Sequence, residues 1–253
     1  MSDFTKYIAL GDSVSIDLYP ALDAGATEVA VALERSREAG TVAPLGAASL
    51  FYRNDAERWP DEVANDLVTF YPGIELLNLA SDAATIGDVF GEQLTQVEDT
   101  DEPVVLTLTI GTNDLLSATA NKPKRPLLDR ITADIAEAYD FLVDALRGRF
   151  PNGTLIVNTL YDPSDGTGVL TGRGDNRDAL PADVLDRMND HIRALSVGTP
   201  RVLLADLHAH FLGHGATVAE AERWYWRRSM LEPSARGASE IRRLWLETLG
   251  CTT

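Results

Sequence analysis

Short apolar runs bounded by turn residues alternate along the chain with longer stretches of helical period, the pattern of a parallel sheet with crossover helices. Five runs carry it: Tyr7 to Leu10, Ile74 to Leu79, Val104 to Ile110, Thr154 to Leu160 and Val202 to Leu207. Each is rich in Val, Ile, Leu or Thr and too short for a typical helix, so each is expected as a buried strand. Between the third and fourth, Leu127, Leu128, Ile131, Ile135, Tyr139, Leu142 and Leu146 recur at steps of three and four behind Pro126, which predicts one amphipathic helix. Further helices are predicted over Asp61 to Phe70, Ala182 to Leu195 and Ala235 to Leu249. Two segments break the alternation. Residues 15–60, with a helix-like stretch around Glu28 to Glu38, read as a lid-like insertion. Residues 161–181, rich in Gly and Pro, leave the end of the fourth strand, at the edge where open α/β sheets bind ligands.

No interdomain linker stands out, and 253 residues are read as a single domain, 1–253, large enough to bury a substantial core. A net charge of −17 repels phosphate backbones and anionic lipid, which argues against a nucleic-acid or membrane partner. Cys251 is the sole cysteine, so an internal disulfide and a dithiol redox site are both excluded. The N-terminus lacks a basic region followed by an apolar run, and no stretch approaches the roughly 18 apolar residues of a membrane span. The expected location is the cytoplasm.

The first strand runs directly into Gly11-Asp12-Ser13, placing a serine hydroxyl at the carboxyl edge of the sheet. The third runs into Gly111-Thr112-Asn113-Asp114, placing an amide at the same edge. A serine nucleophile beside an amide donor suits acyl transfer, because the amide can bind the oxyanion formed on attack. The second strand ends in Asn78-Leu79-Ala80-Ser81-Asp82-Ala83-Ala84-Thr85, where backbone N–H groups add donors. The plainer reading makes Ser13 a turn serine and Asn113-Asp114 an Asx turn.

In order and spelling, these blocks resemble those of the SGNH (GDSL-type) hydrolases, esterases and acylhydrolases, along the full chain. The resemblance implies a flavodoxin-like, three-layer α/β/α sandwich with a five-stranded parallel sheet. It also implies Ser13 as nucleophile, an oxyanion hole of the Ser13 N–H, the Ala83 N–H and Asn113, and no cofactor. The substrate class is an ester of a small molecule or an acylated carbohydrate. No Gly-x-Ser-x-Gly elbow is present. The sequence departs from the family twice. Ala83 stands where the family has glycine, and the last block reads Ser229-Met230-Leu231-Glu232-Pro233, with Glu232 in the histidine position and Ser229 in the aspartate position.

Three accounts of the base follow. In the first, it comes from Asp206-Leu207-His208-Ala209-His210-Phe211-Leu212-Gly213-His214, with His214 first and His210 second, oriented by Glu232 as in a Ser, His, Glu triad. His208 and His210, two apart at a strand end, are expected on one face. In the second, Glu232 is itself the base. In the third, hydrolytic power is lost and the site only binds a ligand. Asp206, His208, His210 and His214 also allow a zinc-dependent hydrolase, without a tight signature. His191 reads as an exposed helix residue. Asp162-Pro163-Ser164-Asp165-Gly166 reads as a proline-initiated turn rather than a calcium loop. Trp224, Tyr225 and Trp226 are expected mainly in the core.

Overall fold

The structure is a computed structural model describing residues 4–25, 42–170 and 179–251. The helix-like stretch at 28–38 therefore lies outside the described residues. Five strands, β1 (Lys6–Gly11), β2 (Glu75–Asn78), β3 (Val104–Thr109), β4 (Thr154–Asn158) and β5 (Val202–Ala205), form one parallel sheet in the order β2-β1-β3-β4-β5. Because all five run the same way, their carboxyl ends share one edge.

The helices are α1 (Leu18–Asp23), α2 (Ala47–Tyr52), α3 (Leu67–Phe70), α4 (Ile86–Asp88), α5 (Thr112–Thr119), α6 (Arg125–Arg149), α7 (Ala182–Gly198), α8 (Leu207–Phe211) and α9 (Ala235–Leu249). A two-stranded antiparallel hairpin, β6 (Tyr225–Trp226) and β7 (Ser229–Pro233), precedes α9. Alternation along the strands sorts the core into two layers. Ile8, Leu10, Leu106, Leu108, Leu155 and Val157 face Tyr139, Leu142, Leu146, Met188 and Ile192 of α6 and α7. Tyr7, Ala9, Val105 and Ile156 face Leu50, Phe51, Phe211, Ile241 and Trp245 from α2, α8 and α9.

The helix expected over Asp61 to Phe70 is instead a 3₁₀ turn (Pro60–Glu62) and α3. Ala64 sits between them at φ +69°, and the Asp66 side chain caps α3 by accepting from Thr69 N–H. An aspartate competing for backbone donors thus splits a segment whose apolar spacing suits a helix. In the described part of the 15–60 excursion, Ala47 to Phe51 are buried and pack against α9. The fifth strand stops at Ala205, where the Asp206 side chain caps α8 by accepting from Ala209 N–H. His208 and His210 consequently lie on a helix, where residues two apart diverge in direction. Among the described residues, no helix is long and apolar enough to cross a membrane.

Candidate active site

Ser13 lies in the turn after β1, with 8 % of its surface exposed. Gly11 makes the turn possible: at φ +125°, an added Cβ would lie 2.1 Å from the Thr109 carbonyl oxygen. That oxygen accepts from Asp12 N–H at 2.8 Å, holding the turn against β3. The Asp12 carboxylate accepts from Val14 N–H at 3.1 Å. Burial, partly offset by the bonds from Val14 and Thr109, pushes the Asp12 carboxyl up to about 7.

A buried glutamine invisible to motif reading reinforces this turn. Gln93, closing the π-helical stretch Val89–Gln93, accepts from Gly11 N–H and donates to the Gly11 carbonyl, both at 2.8 Å. Its amide also donates to Ser81 Oγ at 3.3 Å. Ser81 N–H in turn donates to the Gly11 carbonyl, so the turns after β1 and β2 are bound together.

The turn after β3 joins the same assembly. Gly111 (φ +115°) opens α5, and Asn113 Nδ2 donates to the Ala84 carbonyl at 2.9 Å. An amide carries two N–H donors, so one remains for a ligand. The Asp114 carboxylate accepts from Ile86 N–H, and burial raises its pKa. Ala83, in the glycine position, adopts φ +58°. Among the described residues, the Ser13 and Ala83 N–H groups donate no hydrogen bond within the protein. The joined turns therefore carry two backbone N–H groups and an amide N–H that make no hydrogen bond among the described residues.

The base candidates lie elsewhere on the same edge. Glu232 is half-buried on β7, directly after Leu231, whose carbonyl accepts from Tyr161 O–H at 2.6 Å. Burial, Glu232, Tyr225 and Asp12 all raise the Tyr161 hydroxyl, and burial, Glu232 and Asp82 raise that of Tyr19. Leu231, next to Glu232, thus holds the hydroxyl of Tyr161, which lines one cavity with Asp12 and Val14.

His210 instead faces Glu240 of α9 at 3.5 Å, and His214 stacks on Trp224 with ring centroids 3.6 Å apart. Neither is hydrogen-bonded to Ser13 among the described residues. His191 pairs with Asp140 across α7 and α6 at 2.7 Å.

Asp206, the acidic member of the zinc reading, is occupied by Arg193 and Thr159. No His, Cys, Asp and Glu grouping among the described residues suits a metal ion. Asp162 accepts from Ser164 and Gly166 N–H groups, the expected turn. Asp165 receives N–H groups of Gly213, Gly215 and Thr217, fixing the loop of His214. Trp224, Tyr225 and Trp226 are all buried.

A small cavity of about 10 Å³ lies beneath the serine turn, lined by Asp12, Val14, Thr112, Asn158 and Tyr161 among others. A second, of about 20 Å³, opens between Thr112 and Leu231 and is walled by Leu116, Leu180 and Leu185.

A parallel α/β/α sheet with Gly-Asp-Ser and Gly-Thr-Asn-Asp turns locked together at its carboxyl edge defines the SGNH class of hydrolase folds. The chain belongs to the GDSL-like lipase/acylhydrolase family, whose profile matches residues 9–238. It is similar in structure to a variant of an acetyl xylan esterase from Geobacillus stearothermophilus (TM-score 0.61, 17 % identity, covering 100 % of this chain and 98 % of that one). An extracellular lipase from Streptomyces rimosus superposes with a TM-score of 0.56 at 21 % identity (98 % and 100 % covered). Phospholipase A1 from Streptomyces albidoflavus does so at 0.58 and 16 % (99 % and 100 %). These likenesses establish the fold. No curated protein sequence matches the chain.

Proposed function

We propose that this protein is a serine ester hydrolase with Ser13 as nucleophile. The carrying observation is the joining of three turns by the Gln93 and Asn113 amides, which ties the turn of Ser13 to those of Ala83 and Asn113, while the Ser13 and Ala83 N–H groups donate no hydrogen bond among the described residues. We assign the base to Glu232. The family resemblance gives it the histidine position, and it follows Leu231, whose carbonyl takes the Tyr161 hydroxyl, whereas His210 and His214 face Glu240 and Trp224.

Glu232 takes the Ser13 proton as Oγ attacks the ester carbonyl, and the three donors hold the resulting oxyanion. Collapse expels the alcohol, which recovers the proton from Glu232, and leaves an acyl-serine. Water then attacks, gives its proton to Glu232 and releases the acid, while Ser13 recovers a proton. An ordinary carboxylate near 4.3 is a weaker match to a serine hydroxyl than an imidazole, so slow turnover is expected. Small-molecule esters, including acylated carbohydrates, are the proposed substrates, and the cavity beside Thr112, walled by Leu116, Leu180 and Leu231, offers apolar contacts for them.

A non-catalytic binding domain is the second reading, favoured by the absence, among the described residues, of a hydrogen bond from His210 or His214 to Ser13. A fluorophosphonate probe separates the two. Labelling confined to Ser13, and lost in Ser13→Ala, supports the hydrolase, while an unlabelled folded protein supports the binding domain. Undiminished ester turnover by Ser13→Ala sinks the serine mechanism.

A further inference from the structure

Asn113 holds the oxyanion turn on its Ala84 side. On the other side, Asp82 is exposed, and its only side-chain partner among the described residues is Tyr19. Tyr19 comes from α1, in the excursion after the serine turn, and its ring lies 5.5 Å from that of buried Trp226. The phenol is thus anchored on α1 and the hairpin and reaches across to the turn after β2.

We propose that Tyr19 is a positioning residue for the oxyanion site: by sharing its hydroxyl hydrogen between Asp82 Oδ1 and Oδ2, at 3.0 and 3.1 Å, it holds Ala83 in the left-handed conformation that presents its N–H to the reacting carbonyl. This rests on the reading that Ser13 is acylated and Ala83 N–H binds the oxyanion. Glycine adopts φ +58° freely, but alanine does so against the clash of its Cβ and escapes unless neighbours hold it. A hydrogen bond to a carboxylate is of comparable size to that penalty. The tether therefore compensates for the missing glycine, which makes it specific to this chain's departure from the family pattern.

The test uses the whole protein, with p-nitrophenyl acetate turnover and the rate of fluorophosphonate labelling at Ser13 as readouts. Tyr19→Phe is expected to lower kcat about tenfold with KM within about twofold, and to slow labelling in parallel. In an Ala83→Gly background, the same substitution is expected to cost less than about threefold, because glycine makes the tether dispensable. Asp82→Asn, which keeps an acceptor oxygen, is expected to lose less than Asp82→Ala. An unchanged kcat in Tyr19→Phe overturns the proposal. So does an equal loss in both backgrounds, the result expected if the phenol acted through Glu232. If Ser13→Ala retains turnover, or the wild type responds to neither probe, the serine reading falls and the tether's role falls with it. A dead Ser13→Ala beside a fully active Tyr19→Phe overturns the tether alone.

Discussion

The Asn113 side chain donates to the Ala84 carbonyl across 2.9 Å, so the turn after β3 and the turn after β2 behave as one body. In the proposed mechanism, one substitution there removes both an oxyanion donor and the brace that aims another. Asn113→Ala is expected to lower kcat by about 10²–10³ while KM changes little, because the interaction matters only once negative charge develops. Steady-state kinetics on p-nitrophenyl acetate measure it. A rise in KM at constant kcat would assign Asn113 to substrate binding instead.

Ala83 carries strain that glycine would relieve. Against the cost of an alanine at φ +58° stands the greater flexibility of glycine in the unfolded chain, leaving a net gain of about 0.5–1 kcal/mol for Ala83→Gly. For a chain of this size that amounts to a rise of about 1–4 °C in Tm. Calorimetry checks it, and an unchanged or lower Tm would mean the turn is not strained.

If Glu232 is the base, Glu232→Gln should lower kcat by about 10²–10⁴, while His210→Ala and His214→Ala stay within about threefold of wild type. The pH–rate profile supplies a separate check. Only the ionised carboxylate accepts the serine proton, so kcat/KM should fall with decreasing pH as Glu232 protonates, and His214→Ala should leave the profile unchanged. A histidine inflection, abolished by His214→Ala, would restore an imidazole base.

Much of this site was legible because Ser13 and Asn113 follow directly from strand ends, and the periodicity of the strands places those ends on one edge. The same pattern yields α9 to the residue, since its apolar stripe is bounded by the Ser234 cap and Gly250 at φ +77°. What escaped depends on contacts distant in sequence. Gln93 meets Gly11 from 82 residues away and Tyr19 meets Asp82 from 63, and neither pair leaves a periodic trace. The destinations of His210 and His214 were likewise hidden, being set by Glu240 and Trp224 once a side-chain cap turned the chain from β5 into α8.

Buried Asp12 makes the fold itself sensitive to pH. Its carboxyl is raised from 3.8 to about 7, first by loss of water and to a lesser degree by the charge of Asp114. The folded protein therefore keeps this proton over an interval in which the unfolded chain releases it. Asp12's contribution to stability is whole below about pH 4 and declines as pH rises, until it is lost above about 7. At about 1.4 kcal/mol per pH unit, the decline between 3.8 and about 7 is on the order of 4 kcal/mol. Asp12→Asn retains an oxygen for Val14 N–H and cannot ionise, so its stability relative to wild type should grow from pH 4.5 to 7.5. Urea unfolding at several pH values measures the difference. Parallel curves for the two proteins would show that Asp12 is already ionised in the folded state at acid pH, with its charge met by the Val14 N–H and Thr109 rather than by a retained proton.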